Sequence, residues 1–211
     1  MKTLTLLTAA LLAGGLITHA QDWSQWGGSQ YRNMYSPAKG LPDRFEPGKL
    51  VKGTENYDPA TQKNVKFTVK LGSQSYGNPT IANGRIYVGT NNDVPRDKRH
   101  LGDRSILLCL DEKTGNLNWQ LVVSKLKSGK VNDWESLGLF SSAVIEGNRL
   151  YVVTTRCEIL CLDVEGLANG NDGPYKDEAK YVVQDVLGAD ASRPRPSRQA
   201  TRTPTSSGVT T

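Results

Sequence analysis

The sequence contains the same stretch twice, and that repeat limits the fold more than any other feature. Pro79-Thr80-Ile81-Ala82 leads into Asn83-Gly84 and then Arg85-Ile86-Tyr87-Val88-Gly89-Thr90. Later, Ser142-Ala143-Val144-Ile145 leads into Glu146-Gly147-Asn148 and then Arg149-Leu150-Tyr151-Val152-Val153-Thr154. Arg85 and Arg149, Tyr87 and Tyr151, Val88 and Val152, and Thr90 and Thr154 all stand 64 residues apart. Cys109-Leu110-Asp111 and Cys161-Leu162-Asp163 stand 52 apart, so the first copy carries an insertion of twelve residues around Asn91–Gly102. Apolar runs joined by Asn-Gly or Gly-Asn read as β-hairpins, because these residues accept positive φ at little cost.

Ser105–Leu110, Leu117–Val123 and Glu158–Asp163 read as further strands. Val65, Phe67 and Val69 alternate with Lys66, Thr68 and Lys70, which predicts another strand with one wet face. The expected fold is all-β: a partial β-propeller of four-stranded antiparallel blades, with about two blades present. A closed ring takes roughly 4–8 such blades. The chain is therefore expected to leave strand edges and an inter-blade face open, and to be marginally stable alone.

Four segments follow from the pattern. Residues 1–20 read as a signal peptide: Lys2, then the apolar run Leu4–Ile17, then Thr18-His19-Ala20 with cleavage expected after Ala20. That run is too short to span a bilayer comfortably, and no later run is apolar enough to try. The mature chain is thus expected in the periplasm or outside the cell, with no transmembrane segment. Residues 21–64 are turn-rich and read as an extended segment lying across another surface, anchored by Trp23 and Trp26. Residues 65–186 hold the repeats. Residues 187–211 have no aromatic residue, three Pro and four Arg, and are expected to be disordered. The abrupt change after Val186 fits a truncated or frameshifted product, with a natural basic tail as the alternative.

The formal net charge of +5 sits mostly at the two ends. Lys2 contributes one positive charge and residues 187–211 a net three, which leaves +1 for everything between. Nucleic-acid binding needs a basic folded face, so no nucleic-acid partner is expected.

One motif lies on the strand–turn–strand of the first repeat: Cys109-Leu110-Asp111-Glu112-Lys113-Thr114-Gly115-Asn116-Leu117-Asn118-Trp119. Asp111 can cap the amides of the turn. Gly115 supplies a backbone angle costly for other residues. Trp119 offers a flat surface to a neighbouring unit and an indole N–H for a carbonyl. These four residues, Asp111, Thr114, Gly115 and Trp119, are read as a structural docking motif, not a catalytic site. The motif resembles the tryptophan-docking repeat of the PQQ-like β-propellers, Ala-x-Asp-x-x-Thr-Gly-x-x-x-Trp, with Cys109 in place of Ala. The second copy keeps Asp163 but has Val164-Glu165-Gly166 where Thr-Gly and Trp would follow. Asp22-Trp23-Ser24-Gln25-Trp26 is similar to the mature start of exported bacterial members.

The resemblance implies one of two functions. Some members are quinoprotein dehydrogenases that hold pyrroloquinoline quinone (PQQ) and Ca²⁺ and oxidise alcohols or sugars. Others carry no cofactor and serve as scaffolds. No residue here matches the dehydrogenases' catalytic Asp or metal ligands. The expected function is a non-catalytic binding or scaffold module, whose partner is another protein or the remaining blades. The alternative is a fragment of a PQQ- and Ca-dependent dehydrogenase.

Other constellations carry less. Asp163, Glu165, Asn169, Asn171 and Asp172 offer oxygen ligands for Ca²⁺, but their spacing fits no EF-hand and a Gly/Asn turn between strands is the default reading. Cys157 and Cys161 share a strand face about 13 Å apart at ~3.3 Å per residue, too far for a disulfide. Buried free thiols are the default reading, with a Cys109–Cys161 pair as the alternative. His100 lies in the charged insertion Asp93–His100, read as a solvated loop. Nucleotide-binding and hydrolase signatures are absent from the sequence.

Overall fold

The structure, a computed structural model, describes residues 22–126, 134–166, 168, 183–186 and 200–202. The expected signal peptide lies outside the described residues, as does all of the expected disordered tail except 200–202. The fold is all-β, with one short 3₁₀ turn at Pro59–Thr61 among the described residues.

Two antiparallel meanders make up the fold. The first runs β1 (Thr80–Ala82), β2 (Arg85–Asn91), β3 (Arg104–Asp111) and β4 (Leu117–Ser124) in that spatial order. The second runs β5 (Val144–Glu146), β6 (Arg149–Val153) and β7 (Ile159–Asp163). A short segment β8 (Val183–Val186) pairs along β4, and β9 (Ala200–Arg202) pairs along β7. The hairpin turn Asn83-Gly84 has both φ angles positive, at 53° and 74°. In the first copy Arg85 pairs with Asp111 and Tyr87 with Cys109. In the second, Arg149 pairs with Asp163 and Tyr151 with Cys161. The register of the repeat is therefore conserved between the two sheets.

Strand alternation divides each sheet into two faces. Tyr87, Leu107, Cys109, Trp119, Leu121 and Val123 of the first sheet share one buried cluster with Ile145, Leu150, Val152, Leu160 and Leu162 of the second. Val88, Ile106, Leu108, Leu110 and Val122 form a separate cluster on the far face of the first sheet. Tyr151 and Cys161 alternate with Leu150, Val152, Leu160 and Leu162, so they lie on the far face of the second sheet, where Cys161 is nevertheless buried.

The repeat makes these placements informative. Tyr87 and Cys109 face the second sheet, yet their equivalents Tyr151 and Cys161 face away from the first. Val152, Leu160 and Leu162 face the first sheet, yet their equivalents Val88, Leu108 and Leu110 face away from the second. Unlike faces meet, so the contact is head-to-tail. A two-fold sandwich would bring like faces together.

The predicted strand at Val65–Val69 is not one. The segment is extended but pairs with no strand among the described residues. Its side chains still alternate between half-buried Val65, Phe67 and Val69 and exposed Lys66, Thr68 and Lys70. Val69 and Leu71 pack on the far-face cluster of the first sheet. The alternation thus reports a covered face, and no ladder accompanies it.

Two residues of the N-terminal segment, Trp23 and Ser24, join the sheets. Trp23 exchanges both backbone hydrogen bonds with Ile81, at 2.7 and 2.9 Å. The next carbonyl, Ser24, accepts from the Ile145 amide at 2.8 Å. Two consecutive residues therefore tie β1 and β5 together. Trp26 does not anchor by burial, since it is 45% exposed.

Candidate functional site

The four motif residues assemble at one end of the first sheet. Asp111 closes β3, and its Oδ1 accepts from the amides of Lys113 and Thr114 at 3.0 and 2.8 Å and from the Thr114 hydroxyl at 2.8 Å. The Thr114 hydroxyl and then its amide hold the Asp111 carboxyl below the usual carboxylate range. Gly115 follows with φ 75° and donates its amide to the Asp111 carbonyl at 2.8 Å. The turn then delivers Trp119 to the contact between the sheets, where it is 1% exposed.

Trp119 docks on the turn that follows β7. Its indole N–H donates to the Val164 carbonyl at 3.0 Å. Gly166 lies flat beneath the ring, so that a Cβ there would stand 2.3 Å from Trp119 Cδ1. Gly166 also has φ 60°, in the left-handed region that disfavours other residues. Val164-Glu165-Gly166, unremarkable as a degenerate copy of the motif, is thus the receiving half of the contact.

Gly115 receives a ring of its own. A Cβ there would stand 2.6 Å from Phe67 Cδ2 and 2.9 Å from Val69 Cγ2. Phe67 precedes Trp119 by 52 residues, the spacing that separates the two Cys-Leu-Asp copies. Val65, Val69 and Leu71 precede Leu117, Leu121 and Val123 by the same count. The segment 65–71 therefore occupies, against the first sheet, the place that β4 occupies against the second. The spacing was visible in the sequence, but a search for Trp passes over Phe.

Polar contacts reinforce the head-to-tail arrangement. The Arg85 guanidinium pairs with Glu165 at 2.8 Å, joining the first sheet to the second. Asn83 Nδ2 donates to the Gly147 carbonyl at 3.1 Å, linking the two hairpin turns. Beneath them Cys109 is fully buried, and burial pushes its thiol up to about 12. Burial likewise raises the Tyr87 hydroxyl well above its ordinary range, with the neighbouring Cys109 adding to the effect. Neither group is positioned for chemistry in water.

The expected calcium ligands are otherwise engaged where they are described. Asp163 Oδ1 accepts from the Glu165 amide at 2.8 Å, and Glu165 pairs with Arg85. Asn169, Asn171 and Asp172 lie outside the described residues. Among the described residues no three His, Cys, Asp or Glu side chains converge on a point that could hold a metal.

The remaining candidates are placed as follows. Cys109, Cys157 and Cys161 are in no disulfide, and Cys157 lies in the turn before β7, with φ 59°. Cys109 and Cys161 sit on equivalent faces of successive sheets, so they do not meet. His100 lies in the β2–β3 loop, where its carbonyl accepts from Asn92 Nδ2 at 2.6 Å. Asn91 fastens the base of that loop, donating to Ser73 Oγ at 2.9 Å and to the Ser136 carbonyl at 2.5 Å. The insertion is hydrogen-bonded at its base, with Asp93, Lys98 and Arg99 exposed to solvent.

No family model and no curated protein matches the chain. Among the described residues no helix is long and apolar enough to cross a membrane.

Proposed function

We propose that this protein is an exported, non-catalytic binding or scaffold module built from PQQ-like propeller repeats, acting in the periplasm or outside the cell. The observation that carries the proposal is the head-to-tail contact of Trp119 with Val164 and Gly166. A contact between unlike faces propagates: each sheet receives one neighbour and presents the same kind of face to the next. Blades around an axis stack in this way.

The second sheet supplies the surface for a partner. Its far face carries Tyr151 and Cys161, the equivalents of residues that the second sheet itself covers on the first. On that face Val153 is 49% and Ile159 51% exposed. The occupant proposed for it is a further sheet of the same repeat type, presenting aliphatic residues where Val152, Leu160 and Leu162 stand. A second copy of the chain or the remaining blades of a longer protein would supply one.

Sedimentation of the purified chain tests the reading. Ile159→Asp places a charge on the exposed face without disturbing the core. The chain is expected to self-associate and the variant to sediment as a monomer. A chain that is already monomeric and melts cooperatively would contradict the proposal. Equilibrium dialysis against PQQ with Ca²⁺ separates the dehydrogenase alternative, which alone requires a retained quinone absorbance.

A further inference from the structure

Tyr76 and Phe140 stand 64 residues apart, at equivalent points just before β1 and β5. Their rings meet edge to face, with centroids 5.8 Å apart and planes at 82°. Neither ring is needed to fill a core, since Tyr76 is 63% and Phe140 46% exposed. Trp26 completes the group from the N-terminal segment, and the Arg32 guanidinium lies 5.7 Å from its ring centroid. With Gln25, Asn78 and Ser142 these residues line an open cleft of about 320 Å³. That is within the range of small-ligand sites, roughly 300–1,000 Å³.

We infer that this cleft binds an acidic sugar, with the sugar ring against the aromatic side chains and its carboxylate on Arg32. The chemistry of the lining selects this class. Exposed aromatic faces suit the C–H face of a sugar ring, and two amide side chains and a hydroxyl suit its hydroxyl groups. Arg32 is the only charged residue of the lining, no carboxylate lines the cleft, and Arg32 makes no ion pair among the described residues. A guanidinium accepts a carboxylate in a two-pronged, charge-assisted contact. A flat aromatic acid would satisfy the rings and Arg32 but leave Gln25, Asn78 and Ser142 without partners. The cleft lies beside the joined ends of β1 and β5, so a ligand there touches both repeats. The site is independent of whether the far face of the second sheet docks a partner.

The test is binding of D-glucuronate and of a short glucuronate oligosaccharide to the full chain, followed by tryptophan fluorescence and by saturation-transfer NMR, with D-glucose as the neutral control. Glucuronate is expected to bind more tightly than glucose. Arg32→Gln is expected to weaken glucuronate at least tenfold while leaving glucose unchanged. Tyr76→Ser, at the most exposed ring, is expected to weaken both, with an unaltered melt as the folding control. Tighter binding of the oligosaccharide than of the monomer identifies a polymer as the source; equal binding identifies the free sugar. Failure of both glucuronate probes to bind, or binding unaffected by Arg32→Gln and Tyr76→Ser, overturns the inference.

Discussion

Phe67 rests on Gly115 as Trp119 rests on Gly166. The two rings stand 52 residues apart, and each lies where a Cβ on its glycine would have to be. A short extended segment thus covers the near end of the stack. Repeat arrays need such covering units at their ends, because each unit buries only the face its neighbour reaches.

The docked indole should account for much of the stability. Trp119→Ala removes a fully buried ring and orphans the Val164 carbonyl, and is expected to cost about 3–5 kcal/mol. Gly166→Ala attacks the same contact from the other side. It forces a side chain into the left-handed region and against the indole, for about 1–3 kcal/mol from the backbone alone. Urea melts of both variants check this. Because the two changes share one contact, the double variant should lose less than the sum of the single losses.

Asp111 gives the fold an acid limit. Its carboxyl is held below the usual range by the hydroxyl and amide of Thr114, so its folded value lies below its unfolded one. The stability it contributes is complete above the unfolded carboxylate range and is lost as pH falls through the folded value. Asp111→Asn should therefore melt below the parent at neutral pH and converge with it in acid. Thermal melts from about pH 7 to about pH 2 would display the convergence.

The repeat spacing made much of this legible beforehand. It located all seven strands of the two meanders and the Asn83-Gly84 hairpin, and it singled out Trp119, whose ring the structure sets on Val164 and Gly166. Three features were not legible, each for a physical reason. Alternation at Val65–Val69 signals a covered face, but a strand also needs a paired neighbour, and alternation carries no information about pairing. The role of Gly166 belongs to the turn that receives the ring, which need not resemble the turn that delivers it. Which face of one sheet meets which face of the next depends on tertiary packing; periodicity identifies the faces without matching them.

The three thiols should react in an order set by burial. Cys157 is exposed, whereas Cys109 is buried and its thiol is pushed up to about 12. Since the thiolate is the reacting form, iodoacetamide at mild alkaline pH should modify Cys157 quickly and Cys109 only after unfolding. Mass spectrometry of digested protein reads the order. Rapid native labelling of Cys109 would place the contact between the sheets in water.

The most direct test of the head-to-tail contact is hydrogen exchange at the Trp119 indole, followed by NMR and assigned by its loss in Trp119→Phe. This proton, hydrogen-bonded to Val164 and shut between the sheets, is expected to exchange only on global unfolding. The indole protons of Trp26 and Trp134, 45% and 60% exposed, should exchange orders of magnitude faster. A Trp119 indole proton that exchanges as fast as theirs would contradict the docking of the first sheet on the second.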